Sequence, residues 1–187
     1  MKIILGSNSP RRVELLQQMG FVFEQRVADV DETIDITLPW HQLPEAIAQR
    51  KMLALQKELA KDELLICADT LVFLDHQVLG KPRDREEARN MLESLSGRDN
   101  TVITGVCLFY QDQIISFSDW TVITFDTLTT ENIDQYLDAN VFCDRAGAYG
   151  IQDWIGLIGV LEIRGSYTNV MGLPTHRLYQ ELKKFYP

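Results

Sequence analysis

The chain has 187 residues, 45% hydrophobic and 24% charged, a composition that suits one folded domain with a core of its own. Its formal net charge of −9 excludes a general nucleic-acid binder, which needs a basic face, but not a small anionic ligand met by locally concentrated cations. No run approaches the ~20 apolar residues that span a bilayer, and the polar opening from Met1 to Arg12 does not read as a signal peptide, so the cytoplasm is the expected compartment and no membrane partner is expected.

In chain order, Lys2 to Leu5 reads as a first strand. Ser9-Pro10 then starts a helix, with serine as N-cap, an apolar stripe of Leu15, Leu16 and Met19, and Gly20 to end it. Phe21 to Val27 returns as a strand and leads into an acidic loop through Asp29, Asp31 and Glu32. A second helix is expected from Leu43 to Ala60, with Leu43, Ile47, Ala54 and Leu55 as its buried stripe. Leu64 to Leu74 is a near-continuous apolar run interrupted by Asp69 and Thr70. It reads either as a strand buried on both faces or as two shorter strands joined by a turn at Ala68-Asp69-Thr70.

Asp84 to Glu87 has capping-box spacing, and Ala88, Met91, Leu92 and Leu95 follow at helical intervals up to Gly97. Thr101 to Tyr110 and Gln113 to Phe125 read as two strands joined by a tight hairpin around Asp112. A short helix from Thr130 to Leu137, a strand from Ile158 to Arg164 and a closing helix from Pro174 to Phe185 complete the chain. No repeat, low-complexity tract or linker divides it, so residues 1–187 are expected to form one domain of α/β class with a mixed, twisted sheet and flanking helices. Cys67, Cys107 and Cys143 match no zinc spacing, and the first two lie in apolar runs, as reduced core thiols do.

Several residues sit where structure alone does not ask for them. After the first strand, Gly6 to Arg12 forms a glycine- and serine-rich turn into a helix N-terminus, which favours an anion through free N–H groups and the helix dipole. Arg11 and Arg12 stand in that first turn, where cations are unfavourable unless an anion binds; the alternative is a solvated surface pair. Lys51 shares the buried stripe of the second helix, so it either snorkels to an edge or points into a cleft. Gly80-Lys81-Pro82 presents a further cation on a constrained turn, without the rest of a phosphate-loop motif. A carboxylate at Asp69, inside an apolar run, is costly unless paired or metal-bound, and with Asp31 and Glu32 it could hold Mg²⁺ or Mn²⁺ through oxygen ligands. In Ala146 to Gln152, Tyr149 could stack on a planar base and Gln152 hydrogen-bond it, or the segment is a tight packing junction. Together these are the parts of a metal-assisted hydrolase of phosphoanhydrides.

The motifs Ser7-x-Ser9-Pro10-Arg11-Arg12, Asp31-Glu32-Thr33, Ala68-Asp69-Thr70, Gly80-Lys81-Pro82, Leu95-Ser96-Gly97, Thr104-Gly105-Val106, Ala146 to Gln152, Gly165-Ser166-Tyr167 and Gly172-Leu173-Pro174 occur in this order along the whole chain. In that combination the chain resembles the Maf nucleotide pyrophosphatases. The resemblance implies a cytoplasmic enzyme that cleaves nucleoside triphosphates to the monophosphate and pyrophosphate with a divalent cation. It also implies a fold of two lobes around a deep cleft, like that of the inosine triphosphate pyrophosphatases, and a homodimer.

Asp69 falls on the family's catalytic acid, while Arg12, Thr70 and Gln152 fall on positions tied to substrate choice. Glu32, Lys51 and Lys81 match polar positions lining the cleft, and Ser7 and Arg11 belong to the first motif. Glu32 and Asp69 are the expected metal ligands. The Ala-Tyr-Gly-Ile-Gln form resembles the dTTP/UTP branch rather than the branch acting on 7-methylguanosine nucleotides. A nucleotide-binding regulator of cell division that does not turn over is the alternative from a different class. Asn100, where many members have histidine, and Arg145, where lysine is usual, depart from the family pattern.

Overall fold

The computed structural model describes residues 1–31, 33 and 37–185. The strands are β1 (Lys2–Leu5), β2 (Phe23–Gln25), β3 (Glu63–Leu74), β4 (Gln77–Leu79), β5 (Asp99–Tyr110), β6 (Gln113–Phe125) and β7 (Val160–Arg164). They hydrogen-bond in the order β2-β1-β3-β5-β6-β7, with β4 added to β3, in a sheet of mixed direction. The flanking helices are α1 (Pro10–Gln18), α2 (Leu43–Leu55), α3 (Arg85–Leu95), α4 (Thr130–Asp138), α5 (Trp154–Gly159), α6 (Tyr167–Met171) and α7 (Thr175–Leu182). β3 is one unbroken strand through Asp69 and Thr70, which rules out the turn at Ala68-Asp69-Thr70.

The chain packs as two compact units, the first from Met1–Thr70, Thr104–Asp119 and Gly172–Pro187 and the second from Leu71–Ile103 and Trp120–Met171. In the first unit β2, β1 and β3 run parallel, with Ile3 opposite both Phe23 and Leu64 and Leu5 opposite Ile66. Helix α2 covers one face of these strands and buries Ala48, Met52 and Leu55 against Ile4, Leu65, Cys67 and Cys107. Ala54, expected in that stripe, is exposed, because the face that α2 presents is set by packing against the sheet. Gly105 of β5 is part of the reason: a Cβ there would lie 2.2 Å from the Glu45 backbone nitrogen and 2.4 Å from the Pro44 carbonyl carbon, so the start of α2 rests directly on the strand. Cys67 and Cys107 are buried thiols and Cys143 an exposed one, all three unbridged. Burial pushes the Cys67 thiol up to about 12.

In the second unit β4 folds back on β3 through Asp75 and His76, both at positive φ, and β7 runs antiparallel to β6 with Ile163 opposite Ile123. Helix α3 starts at Asp84, whose carboxylate accepts the Glu87 N–H at 2.8 Å. The Glu87 carboxylate reaches back to the Arg83 N–H at 2.7 Å rather than to the cap residue itself. A full capping box of Thr129 and Asn132 starts α4. Ile158 and Gly159, expected at the start of a strand, end α5 instead.

Candidate active site

Where β1 ends at Leu5, β3 continues for eight residues past its partner Ile66, and the Gly6 N–H closes on the Ile66 carbonyl at 2.8 Å. Loops at the carboxyl ends of parallel strands are where an α/β sheet meets its ligands. The loop Gly6 to Ser9 is such a loop. Ser9 is the N-cap residue of α1, as expected, but its side chain makes no cap bond. Its N–H donates to Ser7 Oγ at 3.2 Å, and Gln25, at the end of β2, donates to the Ser7 carbonyl at 3.1 Å.

Arg12 is 7% exposed, so the alternative of a solvated surface pair fails for it; Arg11, beside it in the first turn of α1, is half-buried. The Arg12 guanidinium donates from Nε to the Gly172 carbonyl at 2.7 Å, from Nη1 to Ser7 Oγ at 3.1 Å and from Nη2 to Thr70 Oγ1 at 3.0 Å. Thr70 Oγ1 in turn lies 2.9 Å from Thr104 Oγ1. Three bonds in the plane of the guanidinium hold it rigidly at the N-terminus of α1. Gly172 has φ of +112°, a conformation that side chains other than glycine rarely adopt, and this turns its carbonyl to Arg12.

Successive side chains of a strand point to opposite faces, and Asp69 shares its face with Leu65 and Cys67, toward α2. There Lys51 Nζ donates to Asp69 Oδ1 at 2.7 Å, both side chains being near-buried at 13% and 12% exposed. Lys51 thus does not snorkel to an edge; it is the counter-ion that a carboxylate in an apolar strand requires. The preceding residue, Arg50, donates to the carbonyls of Asp31 and Thr33 at 2.9 Å each, and so ties the acidic loop to the same helix. The Asp31 carboxylate accepts from the Thr33 hydroxyl and N–H, which holds it below the usual carboxylate range. Glu32 lies outside the described residues.

Among the described residues no three acids, histidines or cysteines cluster as a metal cage. Mg²⁺, however, is usually bound by one or two carboxylates together with substrate phosphates. Asp69 fits that role.

Lys81 and Gln152 lie in the second unit. Lys81 Nζ pairs with Asp144 Oδ1 at 2.7 Å, with 63% of the lysine side chain exposed. The Gly147 N–H donates to the Gly80 carbonyl at 2.9 Å, which joins the lysine turn to the segment that carries Gln152. Gln152 is half-buried.

Tyr149 does not present a stacking face. It is a core side chain, edge-to-face with Phe125, and its hydroxyl donates to Asn100 Oδ1 at 2.9 Å. Asn100 is itself buried, and its amide donates to the Ile123 carbonyl, which gives this departure from the family pattern a structural role. Three of the predicted site residues, Ser7, Arg12 and Thr70, therefore share one network, and Lys51 and Asp69 form a second group one peptide bond away. Thr104 and Gly172 were assigned no role from sequence. Both stand within recognised motifs, but the contact Gly172 makes comes from its backbone carbonyl, and nothing in residue order pairs that carbonyl with Arg12.

The family model for Maf-like proteins matches residues 2–185. The chain is 50% identical over 184 residues to the dTTP/UTP pyrophosphatase of Phocaeicola vulgatus, covering 98% of this chain and 95% of that one. It is 49% identical over 185 residues to the dTTP/UTP pyrophosphatase of Parabacteroides distasonis, covering 98% and 96%. The Staphylococcus aureus Ham1 protein is a far more distant structural match, with a TM-score of 0.48, 15% identity and 67% and 72% coverage, and adds nothing to these.

Proposed function

Because this chain belongs to the Maf family, we propose that it hydrolyses dTTP and UTP to the nucleoside monophosphate and pyrophosphate, a house-cleaning reaction on nucleotide pools. The observation that carries the chemistry is the near-buried Lys51–Asp69 pair, one residue along β3 from the Arg12 network. A water attacks the α-phosphorus, the α–β anhydride bond breaks, and pyrophosphate leaves with the bridging oxygen. Asp69 orients that water and takes its proton. Lys51 holds the carboxylate in place. Ser7, Arg11 and Arg12, at the start of α1, bind phosphate oxygens, and Lys81 exchanges its exposed partner Asp144 for substrate. Thr70 and Gln152 contribute to substrate choice.

Asp69, with Glu32, would hold Mg²⁺ or Mn²⁺ together with the substrate phosphates, and the bound ion would offset their negative charge. A nucleoside triphosphate substrate and unbridged cysteines suit the cytoplasm. Among the described residues no helix is long and apolar enough to cross a membrane.

The decisive assay is pyrophosphate release from dTTP, UTP, CTP, dATP, GTP and 7-methyl-GTP with Mg²⁺ or Mn²⁺. Preferential release from dTTP and UTP is expected. Release from 7-methyl-GTP alone would overturn the substrate, and binding without release would make the protein a regulator.

A homodimer is the proposed assembly, supported by the apolar side chains on α5 and the terminal strand β7. Leu157 is 74% and Leu161 64% exposed, with Ile158 and Ile163 beside them. Light scattering on Leu161→Asp tests it. A shift from dimer to monomer is expected, and an unchanged mass would place the interface elsewhere.

A further inference from the structure

The segment from Arg145 to Asp153 holds a charged network that the reaction above does not use. Asp153 is the N-cap residue of α5, with the extended backbone of a cap (φ −79°, ψ 166°), yet its side chain makes no cap bond. An aspartate in that position ordinarily accepts an N–H of the first helical turn. This carboxylate instead receives Arg145 on both oxygens, Nε to Oδ2 at 2.8 Å and Nη2 to Oδ1 at 3.2 Å, and the Tyr136 hydroxyl on Oδ2 at 3.2 Å. The pair is near-buried, with side chains 18% and 13% exposed. Burial, then the charge of Asp153, push the Tyr136 phenol well above its ordinary range, so it remains a donor.

The same ion pair holds both ends of the turn that presents Gln152. The Asp153 N–H closes on the Gly150 carbonyl at 3.0 Å, making Gln152 the third residue of a four-residue turn. At the first position, a Cβ on Gly150 would lie 2.3 Å from Asp153 Oδ2 and 2.9 Å from Arg145 Nε, so the glycine packs directly on the pair. At the fourth position stands Asp153 itself. A lysine at 145 would offer one ammonium where this geometry uses two donors of a planar fork.

We infer that Arg145, Asp153 and Tyr136 are positioning residues for base selection, which set the direction of Gln152 by holding the turn from Gly150 to Asp153 at both ends. This inference rests on the reading of Gln152 as a base-recognising residue.

The experiment is a double-mutant cycle on the UTP-to-CTP ratio of kcat/KM, with Gln152→Ala, Asp153→Asn and the double variant, each checked for its fold by circular dichroism. Each single change is expected to lower the ratio about tenfold, mainly through KM, the effect of one lost or misdirected hydrogen bond. The double variant is expected to be no worse than Gln152→Ala alone, because Asp153 acts through Gln152. An unchanged ratio in Asp153→Asn, or losses that add in full, would overturn the inference while leaving the role of Gln152 standing. An unchanged ratio in Gln152→Ala would remove the reading beneath it, and the inference with it. If Asp153→Asn does not fold, Arg145→Lys and Tyr136→Phe carry the same test, with smaller expected shifts in the same direction.

Discussion

The two units place their candidate functional side chains on different kinds of backbone. In the first, Asp69 is on β3, Lys51 on α2 and Arg12 on α1, all near-buried and held by two or more packed elements. In the second, Lys81 and Gln152 are carried by turns, and most of the Lys81 side chain faces solvent. Groups on helices and strands are held more precisely than groups on loops, and loops tolerate change without loss of the core. On the proposed roles, the reacting groups sit where geometry cannot drift, as does Thr70, while Lys81 and Gln152 sit where it can be adjusted.

Substitutions can break or sharpen this contrast, and the largest effect belongs to the first unit. Asp69→Asn keeps the shape of the side chain and removes the proton acceptor. Turnover should fall by about 10²–10⁴-fold while the circular dichroism spectrum is retained; activity near the parent's in a folded variant would take Asp69 out of the reaction. Lys51→Met, which leaves Asp69 without its ammonium, should cost roughly 100-fold in kcat/KM, and a loss no greater than that of a surface lysine would show that the pair is only structural.

In the second unit effects should be smaller. Asp144→Asn frees Lys81 from an exposed pair worth little in water, so KM should fall by about twofold with kcat unchanged. A rise in KM would mean that Asp144 itself helps hold substrate.

The smallest effect on activity is expected within the first unit but away from Asp69. Arg26 donates to both oxygens of the Glu63 carboxylate at 2.6 Å and, against the opposing effect of burial, lowers it from 4.5 to about 2. The stability this adds is whole above pH 4.5 and is lost as pH falls from 4.5 toward 2. Glu63→Gln should therefore lower Tm at neutral pH by about 3–6 °C and flatten the acid limb of the stability curve, with unchanged kcat/KM at pH 7. A parallel acid limb in parent and variant would locate that dependence in other carboxylates.

Much of this was legible in residue order. The hairpin from Tyr110 to Gln113 and the capped helix after Asp84 announced themselves locally, because turn residues and caps act over a few positions, whereas the apolar run through Asp69 left open a turn that the unbroken β3 excludes. β4 did not announce itself, since three residues leave no periodicity to read and its turn uses Asp75 and His76 rather than glycine. The buried face of α2 was misread at Ala54, because what selects a helix face is the surface it lands on, and that surface is assembled from Ile4, Leu65, Cys67 and Cys107, on three strands spread along the chain.

In the site, the glycine- and serine-rich turn and its arginines stood out in the sequence, and the structure gathers Ser7 and Arg12 there. The Gly172 carbonyl that orients Arg12, 160 positions away, did not stand out, and neither did Arg50 as the tie to the acidic loop. Tyr149 was ambiguous by type alone, since a buried tyrosine and a stacking one carry the same ring; its depth of burial decides for the core.

Gly105 makes position 105 closed to drift. The mildest replacement, alanine, would put a methyl group into the backbone of Pro44 and Glu45, and relief would come from moving α2, the helix that carries Lys51. A random-mutagenesis screen for inactive clones should therefore return this residue alongside Asp69, although it bears no functional group. Ranking positions by the chemistry of their side chains would miss it.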